Sequence, residues 1–154
     1  MIKSPALIAG VALALSVLAL PAAGMDTEPT PPPPSGDHAA GQRAIENRDW
    51  EGAIRSLTAA EKNQPGSADI QNLLGFAYRN SGQLEPAFRH YERALKLDPR
   101  HLGAHEYVGE AYLMTKNLAK AEAHLAALER ICPRSCEPRD DLKRKIADYK
   151  ARNR

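Results

Sequence analysis

Cysteine, aromatic residues and excess charge are all scarce in this sequence of 154 residues. Two cysteines are too few for a disulfide-dense mini-protein or for an all-cysteine zinc site, which needs four thiolates. The formal net charge of +2 excludes a nucleic-acid-binding protein that relies on a large positive charge. The sequence also lacks G-x-S-x-G, H-E-x-x-H and glycine-rich phosphate-loop motifs. We therefore expect no enzyme, no cofactor and no catalytic metal.

The N-terminal 24 residues have the pattern of a secretory signal peptide. Lys3 is the only charged residue before Asp26, and residues 6–20 form an apolar run of fifteen. This run is short for a helix that crosses a bilayer, which needs about 20 residues. We expect cleavage near residue 24, no membrane insertion afterwards, and a periplasmic or secreted protein. An uncleaved anchor is the alternative.

A 34-residue period runs through the rest of the chain. Each copy contains two apolar stripes at helical spacing, which predict a pair of amphipathic helices. A fixed period of this length is typical of a stacked repeat architecture. Five columns keep the step: Gly41, Gly75 and Gly109; Ala53, Ala87 and Ala121; Leu57, Tyr91 and Leu125; Ala44, Tyr78 and Tyr112; and Pro65, Pro99 and Pro133.

The middle copy resembles the tetratricopeptide repeat (TPR), whose fingerprint is W-x2-L-G-x2-Y followed by A-x3-F, A and P. Its matching residues are Leu74, Gly75, Tyr78, Ala87, Tyr91 in the Phe position, Ala94 and Pro99. The resemblance implies an all-α fold, an α-solenoid of three TPR-like helix-turn-helix repeats plus a C-terminal capping helix. The third copy has Leu128 where the family prefers alanine, which predicts a wider joint to the helix that follows.

The predicted organisation has four parts. The proline-rich segment favours a semi-rigid polyproline II spacer, with a docking peptide for an SH3-like domain as the alternative. The basic excess of the last helix leaves contact with anionic lipid or an acidic partner open beside capping. The parts are a signal peptide (1–24), a proline-rich linker (25–36), a region of three repeats (37–135), whose 34-residue periods are 34–67, 68–101 and 102–135, and the capping helix (136–154).

Cys132 and Cys136 lie at the joint between the third repeat and the capping helix. In an oxidising compartment an isolated pair predicts one disulfide. A redox-active thiol pair and a copper site are the alternatives, although C-x3-C is not the C-x-x-C spacing of thioredoxin-like enzymes. His101 and His105 have a spacing that can chelate a metal. Since no third ligand lies nearby and His105 occupies the Trp column, we expect it to pack in the core.

The resemblance also implies a function, because TPR proteins hold peptides or helices of partner proteins on a concave face formed by the first helix of each repeat. We expect a non-enzymatic scaffold or adaptor in the bacterial cell envelope, with a thiol-redox or copper-handling accessory protein as the alternative. An exposed Phe76 and acidic residues favour a partner with apolar and basic side chains; Phe76 filling space between repeats is the other interpretation. By register, this face presents Gln42, Asn72, Phe76, Arg79, Glu106, Glu110, Leu113 and Met114.

Overall fold

The computed structural model describes residues 36–153, which form seven helices and no strand. Three helix pairs are followed by a single helix, so the predicted all-α solenoid with a C-terminal helix is confirmed. None of these helices combines the length and the apolar composition that a bilayer span requires. The helices are α1 (Gly36–Glu46), α2 (Trp50–Asn63), α3 (Ala68–Asn80), α4 (Leu84–Leu97), α5 (Leu102–Met114), α6 (Leu118–Ile131) and α7 (Glu137–Arg152).

Two predicted segments fall wholly or mostly outside the described residues. The signal peptide (1–24) lies outside them entirely, and so does the linker except for its last residue, Gly36, which begins α1. The four-part organisation of the chain therefore stays a prediction at its N-terminal end.

The turn inside each helix pair repeats its backbone conformation with the 34-residue step. Arg48, Gly82 and Lys116 have φ angles of 57°, 84° and 59°, in the left-handed region. Glycine adopts this region without the steric cost that a Cβ atom adds, which explains Gly82. In the first and third pairs the following residue caps the second helix: Asp49 accepts a hydrogen bond from the Gly52 amide at 2.9 Å, and Asn117 accepts one from Lys120.

Close contact between paired helices depends on the glycine column. A Cβ atom added to Gly75 would lie 2.6 Å from the ring of Tyr91, and one added to Gly41 would lie 2.5 Å from Leu57. Both large side chains are fully buried, and each belongs to the second helix of the same pair. The first helix thus passes directly over a large side chain of the second, and only glycine leaves room for it.

The third pair departs from this arrangement because α7 takes part in its core. A Cβ atom on Gly109 would lie 2.6 Å from Leu142 of α7. By analogy with the first two pairs, this glycine would instead contact Leu125, the residue equivalent to Leu57 and Tyr91. Leu142 and Ile146 share one buried cluster with Ala121 and Leu128. Leu128, which stands where the family prefers alanine, is fully buried in this joint between α6 and α7. The final helix therefore completes the core of the last repeat.

We expect Gly75→Val to lower the free energy of unfolding by about 1–3 kcal/mol, because the added methyl groups overpack the contact with Tyr91. Chemical denaturation followed by circular dichroism measures this change. Gly66→Val is the control, since a Cβ at Gly66 meets nothing within 4 Å, and its effect should stay within about 0.5 kcal/mol. Equal effects of the two substitutions would contradict the tight crossing.

Candidate protein-binding groove

The first helices of the three pairs form one surface, since α3 contacts both α1 and α5, and α7 packs beside α5. We call this surface the groove. Asn72, Arg79, Glu106 and Glu110 are each less than a tenth exposed, whereas Met114 is 54% exposed. Phe76 and Leu113 are half-buried and Gln42 is exposed. All eight residues predicted to face a partner lie on α1, α3 and α5, and their contact with a partner stays a prediction.

Phe76 connects neighbouring repeats and is not the exposed side chain that its register suggested. Its ring centroid lies 6.1 Å from that of Trp50 in an edge-on contact and 4.9 Å from that of Tyr107. The guanidinium of Arg79 lies over the same two rings, 5.3 Å from Phe76 and 5.5 Å from Tyr107. The interpretation that Phe76 fills space between repeats is the one that the contacts support.

A buried ionic network links three helices of the groove. The Glu110 carboxylate accepts hydrogen bonds from Arg79 of α3 and from Lys145 of α7. The side chains of Arg79 and Glu110 are only 10% and 9% exposed. Because charges at this depth need partners, the network holds α3, α5 and α7 in one arrangement.

A pocket of about 400 Å³ opens where this network meets α7. Four of the predicted groove residues line it together with four residues of α7, the predicted capping helix, whose basic excess also leaves contact with an acidic partner open. The signal for α7 was available, since α7 begins 35 residues after α5 and so takes the place of a fourth first helix. The lining residues are Arg79, Glu110, Leu113 and Met114, with Lys145, Asp148, Tyr149 and Arg152.

Glu106 lies one turn before Glu110 on α5 and is 7% exposed. Burial, together with the neighbouring Glu110 charge, raises the pKa of its carboxyl to about 7. Lys145 opposes this effect, whereas Asp141 and Glu137 of α7 add to it. Glu106 is therefore poised to change charge near neutral pH.

The histidines form hydrogen bonds inside the repeats. His105 is 9% exposed, and its Nδ1 lies 2.9 Å from Nδ1 of His124. Burial lowers the pKa of both rings, that of His124 to about 4. The second repeat holds Gln71 and His90 in the same two columns, with Oε1 and Nδ1 2.9 Å apart. These pairs join the two helices of the second repeat and the two helices of the third.

His101 caps α5 and does not face His105. Its Nδ1 accepts a hydrogen bond from the Ala104 amide at 3.1 Å, and its Nε2 lies 3.0 Å from the Asp69 carboxylate. No group of three metal-binding side chains occurs within residues 36–153. The two histidines of the predicted chelating pair are thus used separately, one for capping and one for packing.

The cysteine pair lies in a loop that Arg139 holds in place. The sulfur atoms of Cys132 and Cys136 are within bonding distance, and their Cα atoms are 6.4 Å apart. The guanidinium of Arg139 donates to the carbonyls of Cys132, Pro133 and Arg134. Hydrogen bonds from Ser135 and Arg139 keep the pKa of the Asp140 carboxyl below its usual value. This loop joins α6 to α7.

Comparison with known proteins identifies the repeat. Residues 68–101 match the tetratricopeptide repeat family. The Arabidopsis OM64 TPR domain superposes with a TM-score of 0.67 at 16% identity, covering 73% of this chain and 93% of that domain. The chain contains a tetratricopeptide repeat and has the fold of solved TPR domains.

Two further likenesses help to define the TPR protein. The TPR2B domain of yeast Sti1, solved as a complex with pHsp70, superposes with a TM-score of 0.66 at 20% identity and covers 73% of this chain and 94% of that one. The uncharacterized protein ycf37 of Porphyra purpurea is 37% identical over 68 residues, which are 44% of this chain. The TPR protein spans only 39% of the length of ycf37.

We expect Glu110→Gln to destabilise the TPR protein by about 3–5 kcal/mol, because it leaves the buried Arg79 charge without its counter-charge. Urea denaturation at neutral pH measures the loss. Glu85→Gln is the matched control, since the Glu85–Arg89 pair is exposed and its removal should cost about 0.5 kcal/mol or less. A Glu110 variant as stable as this control would contradict the structural role of the network.

Proposed function

We propose that this TPR protein is a non-enzymatic protein-interaction scaffold of the bacterial cell envelope, and that it binds a peptide or helix of its partner in the groove. The fold supports the proposal because related TPR domains, such as that of Sti1, are solved with a bound partner. The groove supplies what a peptide needs, namely a pocket with apolar and charged walls.

Met114 is the observation that carries this assignment. Its side chain is 54% exposed at the last residue of α5, on the wall of the pocket and beside Leu113. Methionine is flexible and polarisable, which suits it to contact with a partner. An exposed apolar side chain beside a pocket is more typical of an interface than an isolated one on a plain surface.

The proposed envelope location rests on one sequence feature and one contact. The pattern of residues 1–24 is that of an exported protein. Disulfides persist in oxidising compartments, and the structure brings both cysteines of the chain together. We propose that the protein acts after export and that the cysteine pair fastens α7 to the third repeat.

We expect Met114→Glu to weaken groove binding at least tenfold, because a charge replaces an apolar contact at the pocket. Peptides selected from a random displayed library against the full chain are the ligands, and fluorescence polarisation measures their affinity. Leu97→Glu is the matched control, since Leu97 is 43% exposed but lies on α4, outside the groove. Circular dichroism checks that both variants fold.

If the peptides bind the Met114 variant as tightly as the natural chain, the proposal that they bind in the groove is contradicted. A loss of equal size in both variants would indicate nonspecific apolar binding.

For the cysteine pair, we expect no free thiol in protein purified from the native compartment and two after reduction. Replacing both Cys132 and Cys136 by serine should lower the free energy of unfolding by about 2 kcal/mol, because the bridge closes a short loop. Stability against urea should then no longer respond to dithiothreitol, and peptide binding should be unchanged. Two thiols in the native sample would contradict the bridge, and loss of a redox or copper activity without loss of stability would favour the thiol-handling alternative.

A further inference from the structure

Two buried acceptor groups lie together between α3 and α5. Asn72 and Glu106 occupy equivalent positions in the second and third repeats and are 6% and 7% exposed. The Asn72 amide reaches α5, because its Nδ2 would lie 3.1 Å from a Cβ atom built on Gly103. Gly103 precedes Glu106 by three residues and so lies on the same face of α5. Both side chains therefore belong to one stretch of the groove.

Neither acceptor has a donor within residues 36–153. The Asn72 Oδ1 is buried without a hydrogen bond, and Glu106 forms no hydrogen bond or ion pair. Glu110, one turn further along α5, differs sharply, since Arg79 and Lys145 both donate to it. Buried polar atoms in folded proteins nearly always have partners, so the Asn72 Oδ1 without one, in the same stretch of the groove as a carboxylate that also receives no hydrogen bond, indicates a ligand that brings donors.

The structure assigns this pair a ligand: we propose that Asn72 and Glu106 receive a lysine or arginine side chain of a partner peptide bound in the groove. This inference rests on the proposed function and specifies the chemistry of the partner. A cationic side chain carries several N–H donors and no acceptor, so it satisfies the amide oxygen and the carboxylate together. A partner carboxylate or phosphate would place acceptors against acceptors.

The surroundings favour a cation that comes from outside the chain. Glu110, Asp141 and Glu137 add negative potential at Glu106, and Lys145 is the basic side chain that acts on it. Lys145 already donates to Glu110. Phe76, one turn after Asn72 on α3, is only half-buried, so the part of its side chain that Trp50, Tyr107 and Arg79 leave uncovered can pack against the methylene stem of a lysine or arginine.

Binding of a cation should depend on pH because it requires the charged form of Glu106. With the pKa of this carboxyl at about 7, protonation below neutral pH removes the counter-charge, and deprotonation above it restores it. Affinity should therefore rise as pH increases from 6 to 8.

The test uses N-acetyl-arginine amide as a probe, titrated into the isotope-labelled full chain and followed by NMR. We expect saturable shifts of the Asn72 side-chain amide and of backbone amides in 103–107, with at least fivefold tighter binding at pH 8 than at pH 6. N-acetyl-norleucine amide, which lacks the charge, should cause no such shifts. Absence of shifts at these sites with the arginine probe would overturn the proposal.

Two isosteric variants separate a specific site from general attraction. Glu106→Gln should weaken binding of the arginine probe at least tenfold and abolish its pH dependence; the variant is expected to fold because it removes repulsion with Glu110. Glu51→Gln is the control, since it neutralises an exposed acid on α2, outside the groove, and should leave binding unchanged. Equal losses of affinity for the arginine probe in both variants would show that it is attracted only by the overall negative charge, which would refute a specific site.

The library-selected peptides distinguish this inference from the proposed function. One outcome supports both the inference and the proposed function. In it, the peptides require Met114, and a lysine or arginine in them no longer contributes to binding of Glu106→Gln. Peptides that require Met114 but bind Glu106→Gln unchanged leave the groove assignment intact and overturn the basic-side-chain receptor.

Discussion

A glycine in the first helix of a pair packs directly against a large side chain of the second helix, and this contact determines the architecture of the protein. Gly75 lies against the Tyr91 ring and Gly41 against Leu57, so each first helix approaches its partner as closely as the backbone allows. Packing at this density tolerates little change in volume, which makes the orientation of each pair well defined. Successive pairs then present their first helices on one surface, and the groove is a consequence of that repetition.

The last pair shows what happens where the repetition stops. Gly109 also packs against a large side chain, but this side chain is Leu142 of α7 and does not belong to the second helix of the same pair. Because Leu142 draws α7 onto α5, Lys145 comes within reach of Glu110 and Tyr149 reaches the pocket. A helix that ends the hydrophobic core thereby also forms one wall of the candidate binding site. The cap of the core and one wall of the candidate binding site are two results of the same packing.

Much of the fold could be predicted from the sequence because the periodic columns record contacts within a repeat. The glycine column and the paired amphipathic helices of each copy depend on local geometry, and the structure contains both of them. Contacts between repeats were harder to predict from the sequence. The contact of the Phe76 ring with the Tyr107 ring and the hydrogen bond from Lys145 to Glu110 depend on distances between helices that no column encodes. Register could place a residue on the groove surface, but it could not tell an exposed side chain from one covered by the neighbouring repeat.

The chemistry of the groove follows from how the chain distributes its own cations. Arg79 lies over two aromatic rings and donates to Glu110, and Lys145 donates to the same carboxylate. One acidic residue is thus neutralised twice, while Glu106 one turn away receives no hydrogen bond within residues 36–153. Had the two cations been shared between both carboxylates, the groove would offer a partner only a balanced surface. Their concentration on Glu110 leaves Glu106 and Asn72 as acceptors, and a partner that supplies a basic side chain there gains both a counter-charge and the missing donors.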